Sequence, residues 1–213
     1  MTARQKMKGI WAIVLAGGES KRMGSPKMIL PYEGMTIIEK VLENILASDV
    51  EKVVAVLGSH KDEVLKVIDK LPVFHCYNKN YQEGMLSSVK YGFEFLPGDF
   101  RAAMVFLGDQ PMAETSVINK MINVYNESGK GILVPVFANK RGHPLLVDKK
   151  YRDEIINFED PDGLKGLLRK HPDDLLEVET ENPSVLMDID TEEDYINEIN
   201  KKSQTWKRQS GSH

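Results

Sequence analysis

The sequence predicts an α/β fold, a doubly wound and mostly parallel sheet with helices on both faces, in the Rossmann-like manner. Two observations carry this. Short uninterrupted apolar runs alternate along the chain with segments whose apolar residues recur at helical spacing. The runs also lack polar alternation, which is the mark of strands buried on both faces, as in parallel sheets covered by helices.

The elements follow in order. Ile10 to Leu15 is an apolar run bounded by Gly9 and Gly17, and reads as the first strand. Residues 36–47 place Ile37, Ile38, Val41, Ile45 and Leu46 on one helical face, with Thr36 and Glu39 spaced as a capping box. Lys52 to Leu57 is a second buried strand, and Val64, Leu65 and Ile68 mark a helix that ends before Pro72. Val73 to Tyr77 is a third strand, and Leu86 to Leu96 a helix closed by Pro97-Gly98. Ala102 to Leu107 is a fourth strand ending in Gly108-Asp109, followed by a helix over Thr115 to Tyr125 and a strand over Gly131 to Val136.

Beyond Asn139 the pattern changes. Pro144 to Val147 reads as a short strand, residues 163–170 as a helix, Leu175 to Val178 and Val185 to Met187 as strands, and Glu192 to Ile199 as a last helix. This half is expected to cap the sheet and wall a cleft, so residues 8–200 form one domain, and 201–213, polar and without apolar period, a flexible tail.

Bulk properties narrow the classes. With 41% hydrophobic and 28% charged residues, the chain is neither disordered nor membrane-spanning in composition. A net charge of −4 argues against a general nucleic-acid binder. The single cysteine, Cys76, excludes an internal disulfide and is expected to be a buried strand residue rather than a nucleophile. Met1 to Lys8 lacks the apolar stretch of a signal peptide and no run is long enough to cross a bilayer, so a cytoplasmic location without membrane contact is expected.

In an open parallel sheet, ligands bind beyond the carboxyl ends of the strands. After the first strand comes Leu15-Ala16-Gly17-Gly18-Glu19-Ser20-Lys21-Arg22-Met23-Gly24-Ser25-Pro26-Lys27. Adjacent glycines let backbone N–H groups point at an anion, and Lys21, Arg22 and Lys27 add three cations. A Walker loop is excluded because Gly24 is followed by Ser-Pro-Lys, and a dinucleotide fingerprint because Pro26 interrupts the helix it needs. A turn with a solvated basic face is the competing reading. Asp109, just past the fourth strand, stands where a hard-cation ligand belongs, since Mg²⁺ takes one or two carboxylates plus substrate phosphates; a turn-capping Asp is the alternative. Asp188 and Asp190 share one face if their segment is extended, and Thr191 is a candidate cap for the helix after them. Gly84-Met85-Leu86-Ser87-Ser88 opens a helix whose N-terminus offers free N–H groups, though the two serines also suit an ordinary first turn.

The opening loop resembles the Leu-Ala-(Gly/Ala)-Gly-x-Ser-x-Arg-Met-Gly-x-x-Lys signature of the MobA-like nucleotidyltransferases that complete molybdenum cofactor. Ser25-Pro26-Lys27 with Leu30-Pro31-Tyr32-Glu33-Gly34, Gly84 to Ser88, Gly108-Asp109-Gln110-Pro111 and Gly142-His143-Pro144 follow in the family's order. Within that family the chain is most similar to the molybdenum cofactor cytidylyltransferases. The resemblance implies that Leu15, Ala16, Gly17, Gly18, Lys27, Ser87 and Ser88 hold the nucleotide, and that Gln110, Gly142 and His143 face the acceptor. It further implies Mg²⁺ on Asp109 and Asp190, the latter fitting the family's position better than Asp188, and catalytic roles for Arg22, Lys27 and Asp109.

The expected reaction is in-line attack of a terminal phosphate oxygen of a molybdopterin-type acceptor on the α-phosphate of CTP or GTP, releasing pyrophosphate. A molybdenum hydroxylase apo-enzyme is the implied downstream partner. By resemblance, Gly17 is the guanylyl form of the motif, whereas Ser25-Pro26-Lys27, Gly108 to Pro111 and Gly142 to Pro144 follow the cytidylyl branch, so the base stays open. Rival readings are a guanylyltransferase, a sugar-phosphate nucleotidyltransferase, and a non-catalytic accessory protein that carries the cofactor to a molybdenum enzyme.

Overall fold

The structure, a computed structural model, describes residues 9–20, Met23 and 26–210, with the backbone alone for 202–210. The chain opens with β1 (Ile10–Ala16), whose seven residues are all buried. Its even-numbered residues, Ile10 to Ala16, enter one apolar core, and Trp11, Ile13 and Leu15 enter another on the opposite face. An uninterrupted apolar run is what two covered faces require.

A short 3₁₀ turn at Lys27–Ile29 leads to a small hairpin, β2 (Pro31–Tyr32) and β3 (Met35–Thr36). Its turn residues Glu33 and Gly34 have φ of 50° and 85°. Two positive φ angles mark the tight hairpin turn, normally announced by Asn-Gly or Asp-Gly. Glu-Gly is a weaker signal, and this hairpin has no counterpart in the sequence-based expectation. Helix α1 (Ile37–Leu46) then starts at the expected capping box: Thr36 Oγ1 accepts from the Glu39 amide, and Glu39 Oε2 accepts from the Thr36 amide at 2.8 Å.

β4 (Lys52–Leu57), α2 (Lys61–Ile68), β5 (Phe74–Tyr77) and α3 (Met85–Phe95) follow. The chain then crosses to β6 (Ala102–Leu107), α4 (Thr115–Ser128), β7 (Ile132–Phe137), β8 (Lys140–Arg141) and β9 (Leu145–Asp148). It ends with α5 (Arg152–Ile156), α6 (Leu164–Lys170), β10 (Leu175–Glu179) and α7 (Glu192–Ser210). The sheet order is β5-β4-β1-β6-β9-β7-β10, with β8 paired to β7. Helices α1, α2 and α4 cover one face, and α3, α5 and α6 the other.

From β1 the chain winds outward through β4 to β5, then returns to lay β6 on the other side of β1. The strand order therefore reverses between β1 and β6, and the crevice above their carboxyl ends is the switch point where such sheets bind ligands. β9 runs antiparallel between β6 and β7, with Leu145 opposite Val105, so the chain before it enters at this same edge.

Several elements differ from expectation. Of residues 185–187, read as a strand, Val185 and Leu186 belong instead to a 3₁₀ turn at Pro183–Leu186 and Met187 caps it, because Pro183 cannot donate to a ladder and Asn182 Oδ1 captures the Ser184 amide at 2.9 Å. The five-residue α5 is too short to show a period. Cys76 is half-buried on the edge strand β5 rather than enclosed, and burial followed by the nearby Glu94 carboxylate pushes its thiol up to about 11. Helix α7 continues to Ser210, past the Ile199 at which its apolar period ends. No described helix is long and apolar enough to cross a membrane.

Candidate active site

The exits of β1 and β6 are tied together at the switch point, where the Gly108 amide donates to the Leu15 carbonyl at 3.0 Å. Asp109 follows directly. A third segment joins them: past β10 the chain turns through Pro183–Leu186 and passes over Asp109, whose carbonyl accepts from the Ile189 amide at 3.1 Å. Asp190 is thereby delivered beside Asp109, although the two are far apart in sequence.

Lys27 joins the two carboxylates. Its Nζ lies 2.7 Å from Asp109 Oδ2 and 3.3 Å from Asp190 Oδ1, with the residue only 7% exposed. The Lys27 backbone is pinned by its amide donating to Ser20 Oγ at 3.1 Å. These residues, with Gly18, Glu19, Ser20 and Met28, line a cleft of about 320 Å³. Asp188 belongs to the same electrostatic cluster. Burial first, then Asp190 and Asp109, push its carboxyl above the ordinary carboxylate value, against a smaller pull from its own amide and Lys27. The 3.3 Å contact to Lys27 distinguishes Asp190 within the pair.

The two loop glycines have different surroundings. Gly18 is exposed and lines the cleft. Gly17 is buried and turns backward, its carbonyl accepting from the Ser59 amide at 3.3 Å. A Cβ on Gly17 would stand 3.2 Å from Ser88 Oγ, and one on Gly58 only 2.5 Å from the Gly17 carbonyl oxygen. The loops after β1 and β4 thus pack backbone against backbone. Leu15 and Ala16 are strand residues enclosed in the two cores. Arg22, together with Lys21, lies outside the described residues.

Ser87 and Ser88 sit under this loop pair, held by a residue the sequence reading missed. Asn78, fully buried just past β5, donates through Nδ2 to Ser87 Oγ at 2.8 Å and to Ser88 Oγ at 2.9 Å, while its Oδ1 accepts from the Asn80 amide. Ser87 Oγ in turn donates to the carbonyls of Asn80 and Gly84. The side-chain partners of both serines are therefore protein groups. The only sequence signal for Asn78 was its place one residue after a predicted strand.

Gly142 and His143 reach the same sheet edge from the opposite side. A Cβ on Gly142 would run into the Val185 carbonyl, and the His143 amide donates to that carbonyl at 2.9 Å, so this segment is locked onto the turn that delivers Asp190. Burial holds the His143 imidazole below its ordinary value. The Asp109 carboxylate and a hydrogen bond with the Val105 backbone oppose that by less, and Lys165 adds to it. His143 Nδ1 is enclosed and has no hydrogen-bond partner among the described residues. Gln110 is buried beside Asp109, its carbonyl accepting from the Ala113 amide at 3.2 Å.

The carboxylates of Asp109 and Asp190 converge on one cation. Hard oxygen donors of this kind, in a pair, match what Mg²⁺ takes from a protein when substrate phosphates complete its shell. Among the described residues no group of three or more His, Cys, Asp or Glu is placed to hold a metal unaided.

Residues 12–175 match the MobA-like NTP transferase domain. A nicotine blue oxidoreductase of Paenarthrobacter nicotinovorans is 29% identical over 76% of this chain and 83% of its own length. The molybdenum cofactor cytidylyltransferase of Escherichia coli K12 is 30% identical over 67% of this chain and 72% of its own. Among solved structures, Rv0371c from Mycobacterium tuberculosis H37Rv superposes with a TM-score of 0.80 at 24% identity, covering 90% of this chain and 98% of that one.

Proposed function

The chain belongs to the MobA-like NTP transferase family and is a nucleotidyltransferase, and we propose that it transfers a nucleoside monophosphate from CTP or GTP to the terminal phosphate of a molybdopterin-type acceptor. One observation carries the reading: Lys27, Asp109 and Asp190, from three separate segments, converge on one small cleft at the switch point. A fold by itself does not decide chemistry, and relatives on this fold bear different activities in their names. The residues in the cleft support the reading.

An acceptor phosphate oxygen attacks the α-phosphorus and forms a new P–O bond. The bond from the α-phosphorus to the oxygen bridging to the β-phosphate breaks, and that oxygen leaves with the electron pair as part of pyrophosphate. The acceptor is anionic at neutral pH, so no general base is needed, and positioning with charge neutralisation dominates. Asp109 and Asp190 are the carboxylates that would hold Mg²⁺, which when bound polarises the α-phosphate. Gly18 offers its exposed backbone to the phosphates, and the Lys27 ammonium offsets charge gathering on the leaving pyrophosphate. Arg22 is assigned to the same task from its position in the loop. Gly17 and the Ser87–Ser88 pair support that loop from beneath. Gln110 and the Gly142–His143 segment flank the acceptor side, positioning it rather than moving protons.

The test is pyrophosphate release with CTP and with GTP, in Mg²⁺ and a molybdopterin acceptor. Turnover with either nucleotide supports the reading, the faster one assigning the base; no turnover with both contradicts it.

A further inference from the structure

We propose that Lys27 holds the place of the metal in the empty enzyme, so that divalent-cation binding depends on the arrival of a triphosphate. The inference rests on the nucleotidyltransferase reading above and assigns a binding order to it.

Three observations support it. The Lys27 ammonium is within ion-pair distance of both Asp109 Oδ2 and Asp190 Oδ1, the two carboxylates that would hold a divalent cation. Although Asp188 belongs to the same cluster and Glu19 lines the cleft, no group of three or more His, Cys, Asp or Glu among the described residues is placed to hold a metal. The Lys27 backbone is also held independently of its ammonium. It is pinned to Ser20 Oγ, and the cleft of about 320 Å³ opens beside it toward Gly18 and Ser20.

The physical consequence is competition. An ammonium and a divalent cation repel each other, and Mg²⁺ gives up its water reluctantly, so two carboxylates already neutralised by Lys27 compensate poorly for its dehydration. A triphosphate changes both sides of that balance. Its oxygens supply the missing metal ligands and offer Lys27, a point charge on a flexible stem, a stronger anionic partner. Lys27 then moves from the carboxylates to the phosphates, and the carboxylates are released as the metal's second set of ligands arrives. By linkage, triphosphate and metal must tighten each other's binding by the same factor.

The experiment measures Mn²⁺ binding by electron paramagnetic resonance to wild type, Lys27→Gln and Lys27→Arg, each alone and with inorganic triphosphate, alongside melting temperatures. Wild type and Lys27→Arg are expected to bind Mn²⁺ weakly alone and to bind the Mn²⁺–triphosphate complex at least tenfold more tightly, scored against Mn²⁺–triphosphate without protein. Lys27→Gln is expected to bind Mn²⁺ alone at least tenfold more tightly than wild type. Should loss of the ammonium destabilise Lys27→Gln, Mn²⁺ alone is expected to raise its melting temperature more than it raises that of wild type. Equal Mn²⁺ affinity of wild type and Lys27→Gln, with no larger thermal response of the variant, overturns the place-holder role while leaving the enzyme reading intact. Failure of wild type to bind Mn²⁺–triphosphate overturns the reading of Lys27, Asp109 and Asp190 as the nucleotide and metal site, on which the inference rests.

Discussion

The Gly108 amide donates to the Leu15 carbonyl at 3.0 Å, carrying the parallel β1–β6 ladder to its end and bringing the loop after β1 and the carboxylate after β6 to one place. The loop carries Gly18 and Lys27; the other strand end carries Asp109. Asp190 completes the set because the Ile189 amide is bonded to the Asp109 carbonyl. Perturbing these supports should affect fold and ligand binding in separable ways.

The glycines give the clearest separation. Gly58→Ala would place its methyl 2.5 Å from the Gly17 carbonyl oxygen, backbone against backbone, and is expected to cost about 1–3 kcal/mol in overpacking. Gly18→Ala meets nothing within 4 Å and should leave stability within about 0.5 kcal/mol, yet raise the nucleotide KM by crowding the phosphates. Denaturant unfolding and steady-state kinetics on the two variants check this; a destabilised Gly18→Ala or an unaffected Gly58→Ala contradicts it.

Asn78 holds the two serines beneath the loop. Asn78→Ala leaves both hydroxyls without that donor in a buried site, at an expected cost of about 2 kcal/mol. Ser88→Ala removes one of the two acceptors and should cost less. A melting-temperature comparison of the variants decides whether Asn78 is the centre of that network.

His143 predicts a pH dependence of known sign. Burial holds its pKa below the ordinary value of 6.5, so in the folded state it resists protonation that the unfolded chain accepts. Stability is therefore complete above about pH 6.5 and lost as pH falls toward the folded value, by at most about 1.4 kcal/mol per unit. His143→Asn should flatten that limb of the melting-temperature profile between pH 6.5 and 5. A variant with an unchanged slope would mean that His143 is not the group responsible.

The sheet was legible where the sequence is locally self-consistent. The β1 run, the Thr36–Glu39 capping box and the Gly108-Asp109 strand end each announce themselves within a few residues. Lys27 and Asp109 were legible as site candidates because strand ends in such sheets face ligands. The meeting of Gly17 with Gly58, and of Asn78 with Ser87 and Ser88, depends on how separate loops pack, and no periodicity encodes it. Likewise, β9 reads as a strand, but its antiparallel insertion between β6 and β7 follows only from the sheet it joins. The turn at Pro183–Leu186 was misread because Val185, Leu186 and Met187 have the composition of a strand while Asn182 and Pro183 decide the backbone.

The central claim is that Lys27, Asp109 and Asp190 form the nucleotide and metal site, and pyrophosphate release by Asp109→Asn tests it most directly. The substitution keeps the side chain's size while removing one of the two carboxylates on Lys27. Turnover is expected to fall on the order of a thousandfold, the scale of losing a principal charge-stabilising group, with folded structure retained by circular dichroism. Turnover within a few fold of wild type would contradict the account.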